Sequence, residues 1–206
     1  MTKEEKLKLT EIKRSNILDA AIEEFQLHGY ALTSIDRIAE RAKVSKRTVY
    51  NHFKNKEVLF REILNCLLKI ACAANSIVYE PKISLEKQLG LFIKTQINNF
   101  SRAETLKLAR LVLVELIRSP SLSQDAFQEF RGIENGLTKW LNQARLAGKL
   151  SFDDTNYVTN QLMGMIKTVA FWPQILENAS PLTPKEIDKQ VAIISKMFIE
   201  FHKTKS

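Results

Sequence analysis

Apolar residues recur three and four positions apart along almost the whole chain, and the alternation of a half-buried strand is nearly absent. Leu18, Ala21, Ile22 and Phe25 mark one face of a helix predicted over about Thr10–His28, and Gly29 supplies its stop. The pattern restarts in "TSIDRIAERA", where Ile35, Ile38, Ala39 and Ala42 share a face. Thr33 is the expected N-cap there, with Asp36 in the capping-box position usually held by Glu or Gln. A tight "KV" connection follows, and Ser45 is the next expected cap. Further helices are predicted over about Asn55–Val78, Leu85–Phe100 and Thr105–Arg118. Pro120 separates these from a long helix ending near Gly148. Another begins in "SFDDTNY" and runs to Trp172, where Pro173 stops it, and the last covers about Lys185–His202. The class is all-α, with about nine helices. Six glycines and five prolines, none before Pro81, suit that reading.

The segment "VSKRTVYNHF", residues 44–53, is the most informative. At about 100° per residue, Val49 and Phe53 fall on one side of a short helix. Arg47, Thr48, Tyr50 and Asn51 spread over the opposite arc, with Lys46 and His52 at its margins. The Ile35–Ala42 face precedes it, ready to pack on the narrow apolar keel. Two short helices, a tight turn and a basic second helix make a helix-turn-helix.

Charge sharpens this picture. The chain carries a formal +8, which favours a polyanionic partner without choosing one. Residues 37–56 hold seven basic residues against Glu40 alone, a net +6 that leaves only +2 for the other 186 residues. In a major groove, Arg47 can address guanine O6 and N7, Thr48 a thymine methyl, and Asn51 adenine. Tyr50 suits a phosphate through its hydroxyl, and Lys54 and Lys56, just past the helix, suit phosphates as well. Thr33, Ser34 and Ser45 can cap their helices and also touch phosphate. Two readings are open for His52, structural packing or a phosphate contact.

The series Gly29-Tyr30, Thr33-Ser34, Ile38-Ala39, Val44-Ser45, Thr48-x-Tyr50-x-His52-Phe53 and Lys56-Glu57 resembles the N-terminal domain of the TetR family of transcriptional regulators, over roughly residues 10–60. Lys43 departs from the pattern, which usually has Gly in that turn, and Lys46-Arg47 replaces a commoner Ser-Lys-Gly type of start. The resemblance implies a DNA-binding domain at 1–56 and a larger helical effector-binding and dimerisation domain at 57–206. It further implies a homodimer on a palindromic double-stranded DNA operator, usually a repressor, released by a small-molecule effector. The stretches "LARLVLVELIRSPSLSQDAFQEF", "NQARLAGKLSFDD" and "QLMGMIKTVAFWP" are similar to the AefR-like subgroup.

Family dimers of this kind form through the last two helices. Ile187, Val191, Ile194, Phe198 and Phe201 recur at spacings of 4, 3, 4 and 3, with Ile193 and Met197 widening the stripe. Val158, Leu162, Met165, Ile166 and Val169 do likewise one helix earlier. Two such faces fit a four-helix interface, and burial within one chain is the alternative. An effector pocket among the middle helices has Phe92, Phe100, Trp140, Met163, Phe171 and Trp172 as candidate lining, although a Met or aromatic at helical spacing is more often plain core. Arg110 can face that cavity, pair, or reach solvent.

Enzyme chemistry finds little support. His28, His52 and His202 lie far apart with no metal-ligand spacing, no phosphate-cradling glycine pattern occurs, and no cofactor is expected. Cys66 and Cys72 are poorly placed for a disulfide, and no apolar run reaches membrane-spanning length, so a cytoplasmic setting without a membrane partner is expected. A large domain that binds another protein rather than an effector is the second functional reading.

Overall fold

The computed structural model describes residues 2–74, 76–119 and 136–204, with the side chains at 3, 4, 6 and 71–74 set aside. Ten helices and no strand occur among them: α1 Lys3–Leu32, α2 Ile35–Arg41, α3 Lys46–His52, α4 Lys56–Ala74, α5 Leu85–Phe100, α6 Ala103–Arg118, α7 Gly136–Leu146, α8 Thr155–Ala170, α9 Trp172–Leu176 and α10 Pro184–His202. The expected break at Pro120 and the start of the helix before Gly148 lie outside the described residues.

Several boundaries differ from the expectation for physical reasons. Thr2 and Glu5 form a reciprocal capping box, so α1 starts a full two turns before Thr10. Gly29 interrupts α1 rather than ending it, with φ 76° and ψ 157°, a conformation that only glycine adopts freely. Ser34, not Thr33, caps α2 by accepting the Arg37 N–H. Residues 76–80, expected in part to extend α4, are not helical. Pro173 opens α9 instead of closing α8, because a residue without N–H fits the first turn of a helix.

The described residues divide into two compact units, 2–67 with 108–119, and 68–107 with 136–204. In the first, Ile17, Ala21, Phe25, Leu59, Phe60 and Ile63 are buried. Phe25, Tyr30 and Phe60 form an aromatic trio with ring centroids 5.2–6.4 Å apart. The Arg14 guanidinium bonds Glu62 at 2.6 Å and lies 5.1 Å from the Phe53 ring, tying α1 to α4 and to the end of α3.

In the second unit, α10 packs along α5 where Gly90 allows close approach. A Cβ at that position would stand 3.3 Å from Val191 Cγ1. Trp140 is fully buried and donates its indole N–H to Gln88 Oε1 at 2.9 Å. Gln88 in turn donates to the carbonyls of Glu80 and Ile83 and accepts the Glu80 N–H, so one amide joins α7, α5 and the loop before α5. The end of α10 is clasped to the turn after α7. Ser151 N–H donates to His202 O at 2.8 Å, and the Thr204 hydroxyl donates to Gly148 O at 2.9 Å, beside the Leu150–Lys203 bridge.

Within the single chain the expected interface stripe is largely buried. Val158, Leu162, Ile166, Ile187, Ile194 and Phe198 are buried within the chain itself, and Met165, Val169 and Val191 are half-buried. Of the residues named on α10, Phe201, Met197 and Ile193 are exposed, at 78%, 58% and 41%. The apolar stripe on α10 is wide enough to serve both sides, and packing against α5 takes the Ile187–Ile194–Phe198 half. Met197 and Phe201, with Gln161, Met165, Phe198 and His202, line an open groove of about 360 Å³ between α8 and α10.

Trp140→Phe removes the indole donor and part of the ring volume from a sealed site. A loss of about 1–3 kcal/mol is expected, read as a lower urea midpoint in far-UV circular dichroism.

Candidate nucleic-acid interface

Helices α2 and α3 have seven residues each, too short to persist alone in water, so tertiary burial must hold them. Ile35, Ile38 and Ala39 of α2 are buried, as are Val49 of α3 and Phe53 at its end. The turn between them closes with Lys43 N–H to Glu40 O at 3.1 Å and Val44 N–H to Ala39 O at 3.0 Å. Lys43 adopts φ 53° there, the left-handed conformation that a helix C-terminus calls for and glycine fills most cheaply. Ser45 then caps α3, accepting the Thr48 N–H at 3.1 Å, and its hydroxyl also bonds the Thr48 hydroxyl at 2.8 Å.

The outward side of this pair presents Ser34, Ser45, Lys46, Arg47, Tyr50, Asn51 and Lys54 exposed, with Thr48 and His52 half-buried. Two residues expected there lie elsewhere. Thr33 is buried, and its hydroxyl bridges the carbonyls of Glu24 and Gly29 at 3.0 and 2.9 Å. It closes the interrupted end of α1 and leaves no hydroxyl proton for a phosphate. Lys56 sends its ammonium back to the carbonyls of Tyr30, Ala31 and Thr33 at 2.8, 3.2 and 3.0 Å, over the Tyr30 ring. All three protons of the ammonium have partners inside the protein. Its sequence position beside Glu57 gave no sign of this, because the partners are backbone atoms 23 to 26 residues away.

The same economy applies to the other cations. Arg41 bonds the buried Glu24 carboxylate at 2.6 Å and Glu23 at 3.0 Å, and the Glu24 bond holds its guanidinium pKa above the ordinary value. Lys46 sits on Asp36 at 2.8 Å, and that bond raises the ammonium pKa. Arg37, Lys43, Arg47 and Lys54 have no such partner among the described residues and carry the local field. Asp36 of α2, expected from the sequence in a capping box, instead pairs with Lys46, the first residue of α3.

A buried α2–α3 seam, a capped basic second helix and an outward polar face are what a major groove accepts. The sequence matches "Bacterial regulatory proteins, tetR family" over residues 17–63 and "AefR-like transcriptional repressor, C-terminal domain" over residues 87–203. The chain belongs to the TetR family. Its head is 47% identical over 57 residues to the HTH-type transcriptional regulator YhgD of Bacillus subtilis, covering 28% of this chain and 30% of that protein. It is also 41% identical over 54 residues to the HTH-type transcriptional repressor SCO4008 of Streptomyces coelicolor, covering 26% and 28%. The alignments thus span less than a third of either relative. A solved TetR-family regulator from Pseudomonas syringae pv. tomato matches nearly end to end, with 36% identity, a TM-score of 0.82, and coverage of 94% of this chain and 98% of that one. The flavonoid-responsive regulator FrrA matches at 25% identity and a TM-score of 0.78, covering 95% and 100%. TetR-family proteins are a class of transcriptional regulators.

The expected effector residues separate, Arg110 falling in the first unit and the others in the second. The Phe100 and Phe171 rings meet tilted at 5.2 Å and Phe171 meets Trp172 edge-on at 4.9 Å, with Trp172 39% exposed. Phe92 is buried core, Met163 is half-buried, Arg110 is exposed, and Trp140 is bound to Gln88 rather than open to a cavity. Buried Gln88, Gln96 and Gln174 were missed, although Gln88 and Gln96 fall in phase with the Leu89–Phe92–Ile93 stripe of α5. Among the described residues, no helix is long and apolar enough to cross a membrane, and no cluster of three His, Cys, Asp or Glu is placed to hold a metal.

Lys56→Met keeps the aliphatic stem but strips three carbonyls of their donor. It is expected to cost about 1–3 kcal/mol in thermal unfolding while leaving the salt dependence of DNA binding in place.

Proposed function

We propose that the protein is a homodimeric, ligand-responsive repressor that binds a palindromic operator and is released by a small-molecule effector. The observation that carries this is the outward face of α3, where Arg47, Tyr50 and Asn51 are exposed on a helix whose opposite side is sealed by Val49. Arg47 reads guanine through paired bonds to O6 and N7, and Asn51 reads adenine. The Thr48 hydroxyl is already bonded to Ser45, so its methyl is the group left for thymine. Tyr50, Ser34, Ser45, Lys54 and His52 position the head on phosphates, with Arg37 and Lys43 adding charge.

Dimerisation uses the exposed half of the α10 stripe, Met197 and Phe201 with Met165 of α8, rather than the buried half. Two copies on a two-fold axis then place their α3 helices in successive major grooves about one turn apart. The effector is a small apolar molecule with an aromatic ring, suited to the Phe100–Phe171–Trp172 cluster, as the flavonoid response of FrrA also suggests. Such a ligand weakens operator binding only through unequal affinity for the two states of the dimer.

Selection of duplexes from a random pool by the purified chain tests the reading, and it fails if no two-fold symmetric site is enriched. On the enriched site, Arg47→Ala is expected to lose about 1–3 kcal/mol and to relax one base position per half-site. Phe201→Glu places a carboxylate in the apolar groove and is expected to leave a monomer at micromolar concentration, measured by sedimentation velocity.

A further inference from the structure

The Lys46–Asp36 pair is not explained by folding. Both side chains are exposed, Asp36 at 66% and Lys46 at 54%, and an open pair of this kind contributes little to stability. Its place is more telling. Lys46 is the first residue of α3, the end that enters a groove, and Asp36 puts a carboxylate beside it, 2.8 Å from Oδ1 and 3.1 Å from Oδ2 to the ammonium. Arg47, next along, has no partner among the described residues. So of the two cations that open α3, one is held and one is free.

Binding to arbitrary duplex is an electrostatic exchange, in which each cation that neutralises a phosphate releases counterions. A lysine already neutralised by a carboxylate releases fewer. A carboxylate at the rim of the groove also repels any phosphate that slides into that place. We propose that Asp36 is a specificity-determining residue, which holds Lys46 away from phosphate and keeps affinity for non-operator DNA low. The ammonium keeps a proton to spare for a base acceptor, so the matching sequence loses little by the arrangement. The inference rests on the DNA-binding reading above and adds a negative selector to the positive contacts of Arg47 and Asn51.

Fluorescence anisotropy with the full chain, on a random-sequence duplex of about 30 base pairs and on the duplex enriched by selection, tests it across a salt series. Asp36→Asn is expected to tighten random-duplex binding about three- to tenfold at low salt and to steepen the log K against log salt slope by about one. The enriched duplex should tighten less than about twofold, so discrimination narrows. Lys46→Gln alone should leave the random-duplex slope nearly unchanged, and the double variant should return to the parental slope. Glu40→Gln, which removes an exposed charge from the same helix, controls for net charge and should steepen the slope by less than half as much. The proposal is overturned if Asp36→Asn leaves the slope unmoved, if Glu40→Gln matches it, or if Lys46→Gln alone flattens it by a full unit. An unmoved slope with intact binding removes the role of Asp36 only, whereas absence of duplex binding by the parental chain removes the DNA reading and this inference together.

Discussion

A helix of seven residues has too few internal hydrogen bonds to repay the entropy of forming it. α3 exists because Val49 and Phe53 are sealed against the rest of the head, opposite the buried Ile38 and Ala39 of α2. Every polar side chain that α3 presents depends on that burial, because the keel fixes the rotation of the helix about its own axis. The caps at Ser34 and Ser45 and the closed turn at Lys43 fix its ends. With rotation and ends both set, Arg47 and Asn51 have no freedom to trade places with Val49. The outward chemistry of so small a head is a by-product of packing.

The head distributes its cations between two jobs. Arg14, Arg41 and Lys56 hold α1, α2 and α4 together through Glu62, the Glu23–Glu24 pair and the open carbonyls at the end of α1. Those carbonyls need donors because Gly29 breaks the helical ladder there, and Thr33 and Lys56 supply them. The outward cations are fewer than composition suggests, and they are concentrated around α3. A high positive charge within a short span is therefore compatible with a small number of phosphate contacts.

Much of this was legible in the sequence, for reasons that differ by element. The all-α class and the helix-turn-helix follow from periodicity, since Ile35-Ile38-Ala39 and Val49-Phe53 fit only one rotation each. Positions with two adjacent candidates were not decidable locally. Thr33 and Ser34 both offer a capping hydroxyl, and the break at Gly29 selects Ser34 by drawing Thr33 inward. Charge counting could not separate Lys54 from Lys56, because the partners of Lys56 are distant backbone atoms. On α10 the apolar positions cover too much of the circumference to define a phase. The choice falls to Gly90 and Val191, whose close approach turns Ile194 and Phe198 inward and leaves Met197 and Phe201 outside.

The clasp at the end of α10 has a consequence for association. A final helical turn ordinarily frays, and any surface built on it must be ordered before it can be covered. Here Ser151, Gly148 and Thr204 tie that turn down beside Phe201 and His202. The wall of the α8–α10 groove is thus preorganised in the single chain, so covering it incurs little of the conformational entropy that a loose C-terminus would lose.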